Sequence, residues 1–170
     1  WPVVRDPDEL HDALLTLFWL PVEEVQDWAI HLPRLIEDGC AVELNVMGEG
    51  LGVRGETQEV RGWVAKEHWE KVETVLTSGN DTTLDAIVLG WMESIGPTTA
   101  RELSLTLHLS ESDVQSTFLR LESQGHLLRG QFRQTLSARS ETKDPSSHLS
   151  PFTSHEFCHR RLLARIGLEA

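Results

Sequence analysis

The sequence has little of several features that mark large classes of protein. Its two cysteines, Cys40 and Cys158, form no CxxC pair, so a reduced chain in the cytoplasm is the simplest interpretation. No apolar run approaches the roughly 20 residues that a membrane-spanning helix needs. The opening WPVVRDPDEL lacks the basic flank and apolar stretch of a signal peptide. It also lacks an initiator Met, so we expect a piece of a longer polypeptide.

Catalytic motifs are scarce as well. Neither GxxxxGK[ST] nor GxSxG occurs, so the sequence offers no P-loop and no nucleophile elbow. Acidic side chains are so numerous that no carboxylate pair stands out as an acid–base couple. The glycine-rich GEGLG at residues 48–52 precedes no helix, and we interpret it as a turn. We therefore expect no catalytic residues and no cofactor in this chain.

Positive charge is in short supply, and the imbalance is uneven along the chain. There are 15 Lys and Arg against 27 Asp and Glu, a formal net charge of -12. Residues 1–80 hold six basic and 16 acidic residues, residues 81–143 hold six and eight, and residues 144–170 hold three of each. A phosphate backbone would therefore be repelled mainly by the first part of the chain.

The first half of the chain has the pattern of three helices, two strands and a closing helix. The helical segments place apolar residues three and four apart, and the strand segments alternate apolar with polar residues. In chain order the segments are DPDELHDALLTLFWL, PVEEVQDW, LPRLIEDG, CAVELNV, QEVRGWVA and KEHWEKVETVL.

The second half repeats this plan after a boundary at TSGND. Two of its helices have residues at capping-box spacing, Thr99 with Glu102 and Ser110 with Asp113. The segments are TLDAIVLGWMESIG, TARELSLTL, SESDVQSTFLRLESQG and the strand HLLRGQF.

This order is typical of the winged-helix form of helix-turn-helix, in which the loop of a small hairpin is the wing. We predict a mainly α chain with small β-hairpins (α+β), arranged as tandem winged-helix (helix-turn-helix) domains. The first, acidic domain covers residues 1–80 and the second covers residues 81–143. Residues 144–170 are predicted to be a linker and the start of a following helix, EFCHRRLLARI.

The third helix of the second unit is the candidate nucleic-acid reader, because this helix enters the major groove in DNA-binding members. Val114, Phe118 and Leu121 form its buried face, which leaves Gln115, Ser116, Thr117, Arg120 and Ser123 for solvent or nucleic acid. Gln can read adenine, Arg can read guanine, and small hydroxyls can reach phosphates. The predicted nucleic-acid-binding residues are Gln115, Ser116, Arg120, Arg129 and Arg133. The alternative is that Arg120 pairs with Glu122 or Asp113.

Two further regions favour other interpretations. The third helix of the first unit places Arg34 beside Glu37 and Asp38, so we expect a scaffold or docking role there. His155, Cys158 and His159 form an HxxCH cluster, with His148 the nearest further candidate ligand. Structural zinc prefers four ligands in paired clusters, so no metal is expected.

The end of the chain resembles the Lhr (long helicase-related) family of superfamily 2 DNA helicases. Members carry a segment like EWCxRRLLARI after a winged helix that ends in RGxF, and a Trp-x-Ala-x-Glu element that closes the preceding unit. Trp63, Ala65 and Glu67 fit that second element, although GLEA replaces the usual continuation after LLARI. The residues that match the first are Glu156, Phe157 in the aromatic place, Cys158, Arg160, Arg161, Leu162, Leu163, Ala164, Arg165 and Ile166.

The resemblance implies a fragment of the C-terminal extension of an ATP-dependent DNA helicase linked to DNA repair. ATP and Mg would be bound by the helicase core, upstream of these residues. The expected partners are DNA, held weakly by the second domain, and other domains of the parent; we expect a monomer and no membrane contact. Two alternatives stay open: a dimeric winged-helix transcription regulator, and a protein-docking module without direct DNA contact.

Overall fold

The computed structural model describes residues 2–48, 58–78, 81–132 and 155–166. The described elements mix helices with short antiparallel strands, which confirms the α+β class. No helix in these ranges is long and apolar enough to cross a membrane. The first half contains α1 (Pro7–Leu17), β1 (Leu20–Pro21), the 3-10 turns η1 (Val22–Glu24) and η2 (Gln26–Ile30), α2 (Leu32–Glu37), β2 (Ala41–Gly48), β3 (Gln58–Ala65) and α3 (Trp69–Ser78). The second half contains α4 (Asp81–Ser94), α5 (Ala100–Leu107), α6 (Glu111–Ser123), β4 (Leu127–Gly130), β5 (Glu156–His159) and α7 (Arg160–Ile166).

The two halves have a similar sheet order, although the first half has two 3-10 turns where the second half has α5. In the first half the strand order is β1-β3-β2, with Leu20 opposite Trp63. In the second half β4 pairs with β5, and Thr98, which precedes α5, forms an isolated bridge with Phe157 of β5. The backbone before the second helical segment therefore joins the hairpin in both halves. The described elements fit the α+β class, and the tandem winged-helix arrangement stays a prediction.

Local signals in the sequence account for several element boundaries. Alternation places β2 and β3 where expected, and Glu43 and Asn45 of β2 are exposed. Thr99 and Glu102 form both hydrogen bonds of the predicted capping box at the start of α5. Ser110 begins α6 without a side-chain cap, because its Oγ lies 2.7 Å from the Oγ of Ser112. That second capping box is therefore a wrong prediction.

Two predicted helices have a different form. PVEEVQDW contains β1 and two short 3-10 turns instead of one α-helix. EFCHRRLLARI is helical only from Arg160, because Glu156–His159 form β5 and pair with β4. Phe157 is buried, with its ring centroid 4.6 Å from that of Phe118. Residues 155–166 therefore pack with the second half, while the predicted linker at residues 144–154 lies outside the described residues.

The buried apolar residues of both halves form one continuous cluster, which runs from Leu10 to Phe157. Trp19 Nε1 donates a hydrogen bond to the carbonyl of Leu107 at 3.2 Å, and Trp91 Nε1 donates to the carbonyl of Trp19 at 2.9 Å. Both indoles are almost completely buried. The predicted boundary near residue 80 thus separates two repeats of the chain, but the described residues of the two repeats share a core.

A glycine allows the two halves to approach closely. Gly90 lies in the middle of α4, and a Cβ at this position would overlap the backbone carbonyl oxygen of Thr16 in α1. Glycine is otherwise unfavourable inside a helix, by about 1 kcal/mol relative to alanine. The close contact between α1 and α4 explains why it occurs here.

We predict that Gly90→Ala destabilises the protein although alanine favours helices. The clash with the Thr16 carbonyl should cost about 1–3 kcal/mol in free energy of unfolding, which outweighs the gain in helix propensity. Urea denaturation followed by circular dichroism measures this change.

Gly96→Ala is the matched control, because no atom lies within 4 Å of a Cβ built at Gly96. It should leave the free energy of unfolding within about 0.5 kcal/mol of the parent value. A Gly90→Ala variant as stable as the parent, or more stable, would contradict the close contact.

Candidate nucleic-acid interface

Helix α6 presents only part of the expected polar face. Val114, Phe118 and Leu121 are buried as predicted, and Gln115, Ser116 and Ser123 are exposed. Thr117, which was assigned to the outer face, is completely buried. Its Oγ1 accepts a hydrogen bond from Nη2 of Arg120 at 2.9 Å. The buried face of α6 is therefore one residue wider than the apolar pattern indicates.

Arg120 is partly buried and forms an ion pair with Asp85 of α4. Its Nη2 lies 2.7 Å from Oδ1 of Asp85, and its Nε lies 3.1 Å from Oδ1 and 3.3 Å from Oδ2. About a third of the Arg120 side chain is accessible to solvent, and rather less of Asp85. The partner is neither of the two nearby acidic residues that the sequence suggested. Arg120 thus ties α6 to α4 through a two-pronged ion pair.

The remaining predicted residues each have a different environment. Arg129 on β4 places Nε 3.3 Å from Oε1 of Glu122. Ser116 donates its hydroxyl to the backbone carbonyl of Ser112 at 2.8 Å. Gln115 is exposed on α6, and Arg133 lies outside the described residues. Both described arginines of the predicted set are therefore engaged by carboxylates of the chain itself.

Among the described residues of the second half, three arginines outside the predicted set are exposed. They are Arg101 in the first turn of α5 and the pair Arg160 and Arg161 at the start of α7. Within the described part of the chain, their side chains form no hydrogen bond or ion pair. The Arg160 backbone N–H donates to the His126 carbonyl at 3.0 Å, which places the start of α7 beside β4. The two adjacent arginines of RRLLARI are the sequence signal for this exposed positive charge, although they were interpreted only as part of the family resemblance.

The histidine-rich segment is not built like a zinc site. Residues 155–159 read HEFCH, so the HxxCH cluster also matches the HExxH motif. That motif binds zinc when both histidines share one face of a helix. Here the segment is extended, so the two histidines are separated by roughly 13 Å of chain. No three His, Cys, Asp or Glu side chains are grouped for a metal within residues 2–48, 58–78, 81–132 and 155–166.

His159 is instead a buried residue of the second sheet. Its Nε2 lies 3.6 Å from Oε1 of Glu93, and its Nδ1 accepts a weak hydrogen bond from the Arg161 backbone N–H at 3.4 Å. Burial lowers the pKa of His159 below its ordinary value; the Glu93 carboxylate opposes this shift, and Arg161 and His126 add to it. Burial also raises the pKa of the Cys158 thiol. Both groups are therefore neutral near pH 7.

Comparison of the chain with family models, with curated proteins and with solved structures gave no match. The likeness to the Lhr family therefore depends on the residues quoted from the sequence, and it stays a prediction.

We predict that the Arg120–Asp85 pair stabilises the fold independently of any ligand. A double-mutant cycle with Arg120→Ala and Asp85→Ala should give a coupling free energy of about 1–2 kcal/mol, because the pair is partly buried and bidentate. Urea denaturation of the four proteins measures it. The Arg129–Glu122 pair is the control, and its coupling should stay below about 0.5 kcal/mol because Arg129 is more exposed. Equal coupling in the two pairs would contradict the structural role of Arg120.

We also predict that His159 makes stability depend on pH in mildly acidic solution. Its folded-state pKa lies below the ordinary 6.5, so below that pH the unfolded chain binds more protons than the folded chain. Stability from this group is complete above pH 6.5 and is lost as the pH falls through the folded-state pKa. As the pH is lowered through this window, the urea midpoint of the parent should decrease. The midpoint of His159→Gln should decrease less, because glutamine cannot titrate. Parallel curves for the two proteins would contradict the assignment.

Proposed function

We propose that the chain is a non-catalytic pair of winged-helix units from an Lhr-type ATP-dependent DNA helicase involved in DNA repair. The observation that supports this best is the repeated sheet order, β1-β3-β2 in the first half and Thr98-β5-β4 in the second. In a winged helix, the chain between the first two helices joins a hairpin that follows the third helix. The sheet order of the described residues supports this connectivity, and the Lhr-like residues Glu156, Phe157 and Cys158 lie in one strand of the second sheet.

The second unit contacts nucleic acid weakly in this proposal. The outer face of α6 offers Gln115 and Ser116, while Glu111 and Asp113 in its first turn repel phosphate. Arg129 is available only if it leaves Glu122. Few phosphates are then neutralised, so the affinity should depend only shallowly on salt concentration.

A docking role without DNA contact is the second candidate. It is favoured by the ion pairs of Arg120 and Arg129, since a cation satisfied within its own chain gains little from a phosphate. A free-standing transcription regulator is a third possibility, and solution mass separates it: a regulator reading a palindrome would be a dimer, whereas a helicase fragment would be a monomer.

We predict opposite effects on DNA binding when the Arg129–Glu122 pair is changed from either side. Glu122→Gln releases Arg129 and removes one negative charge beside it, so the affinity for duplex DNA should rise. Arg129→Ala removes one phosphate contact, so the affinity should fall and the salt slope should decrease by about 0.9. Fluorescence anisotropy on single- and double-stranded DNA, between about 50 and 200 mM salt, measures both quantities.

The matched control is Arg61→Ala, which removes an exposed arginine from β3 of the acidic first half. It should leave the salt slope unchanged. If Glu122→Gln, Arg129→Ala and the parent give the same curves, the second unit has no direct DNA contact at this site, and docking becomes the preferred function.

A further inference from the structure

An apolar stripe with acidic ends lies on the surface of the first unit. We call it the Ile30–Ile36 face, and it consists of Asp27, Ile30, Pro33, Ile36 and Glu37. All five residues are exposed, Ile30 to 77% and Ile36 to 47%. Two branched apolar side chains this accessible, on one short segment, are a surface that a partner could cover.

The stripe is continuous because the backbone stays helical between η2 and α2. His31, which joins the two elements, has φ -91° and ψ -19°. Residues three apart on a helical path lie on one side of it. Leu32 and Leu35 are buried on the opposite side and fix the segment to the core. The apolar part from Ile30 to Ile36 is therefore about 10 Å long, which is two turns of a partner helix.

The charges around the stripe select the kind of partner. Asp27 and Glu37 form no hydrogen bond or ion pair through their side chains in the described residues. Arg34, the one basic residue of α2, is held by Asp38 at 3.0 Å. Residues 1–80 carry 16 acidic against six basic residues. A surface of this kind attracts cations at both ends and apolar groups in the middle.

We propose that the Ile30–Ile36 face binds a basic amphipathic helix from another protein domain. Apolar side chains of that helix, three or four residues apart, would cover Ile30 and Ile36. Its flanking Lys or Arg side chains would pair with Asp27 and Glu37. The proposal rests on the contacts with other domains that we assign to this chain, and it names the surface and the chemistry of one of them.

Other occupants fit this face less well. A DNA duplex would bring phosphates against Asp27 and Glu37, with Arg34 already neutralised by Asp38. A second copy of the chain, meeting the first through the same face, would place those acidic residues against each other. Only a partner of opposite charge satisfies both the ends and the middle of the stripe.

The test uses the whole chain and a fluorescent synthetic helix with leucines on one face and lysines on the other. Ile36→Ser removes apolar contact, and Glu37→Lys reverses one end charge. Each should weaken binding of the peptide by about five- to tenfold, because both changes fall inside the contact. Circular dichroism melts of these surface variants should match the parent.

Matched controls change the same residue types elsewhere on the surface. Val3→Ser removes an exposed apolar residue and Glu73→Lys reverses an exposed charge on α3, and both should leave the affinity within about twofold of the parent. Equal weakening by Glu73→Lys and Glu37→Lys would show attraction to the overall charge alone and overturn the proposal. Displacement of the peptide by duplex DNA would overturn it too. The outcome does not depend on the salt titration of Arg129, so either proposal can fail without the other.

Discussion

The fold depends on two buried indoles that link the repeats. A buried Trp N–H needs a hydrogen-bond acceptor, because leaving it unpaired costs about 1–3 kcal/mol of stability in proteins. Trp19 uses the carbonyl of Leu107, one of the last carbonyls of α5, which have no partner inside their own helix. Trp91 in turn uses the carbonyl of Trp19. The segment just after α1, the last turn of α4 and the end of α5 are therefore held together by hydrogen bonds inside a shared apolar core.

The shared core fixes the two halves of the chain relative to each other. Two units on a loose linker would search for their ligands separately, with the effective concentration set by the linker. Here α1 approaches α4 closely at Gly90. In addition, Oε2 of Glu23 in the first half lies 3.5 Å from Nε2 of His108 in the second half. The outer faces of α2 and α6 are consequently presented by one packed body.

Short-range patterns in the sequence predicted much of the fold, and long-range pairings were missed. The strands β2 and β3 and the capping box of α5 depend on residues a few positions apart, so alternation and spacing reveal them. The strand β5 was missed because its partner β4 lies far away in sequence and RRLLARI has a strong helical pattern. The partner of Arg120 was missed for the same reason, since Asp85 is 35 positions away. No local pattern distinguishes an arginine that reads a base from one that holds two helices together.

That distinction decides how far the arginines of the second half could contribute to DNA binding. An arginine that moves from a carboxylate to a phosphate exchanges one charge-assisted hydrogen bond for another of similar strength, so the net gain is small. What remains favourable is the release of counterions from DNA, which grows with the number of phosphates neutralised. Arg120 and Arg129 both pair with acidic residues of the chain, so each would gain little from exchanging its carboxylate for a phosphate.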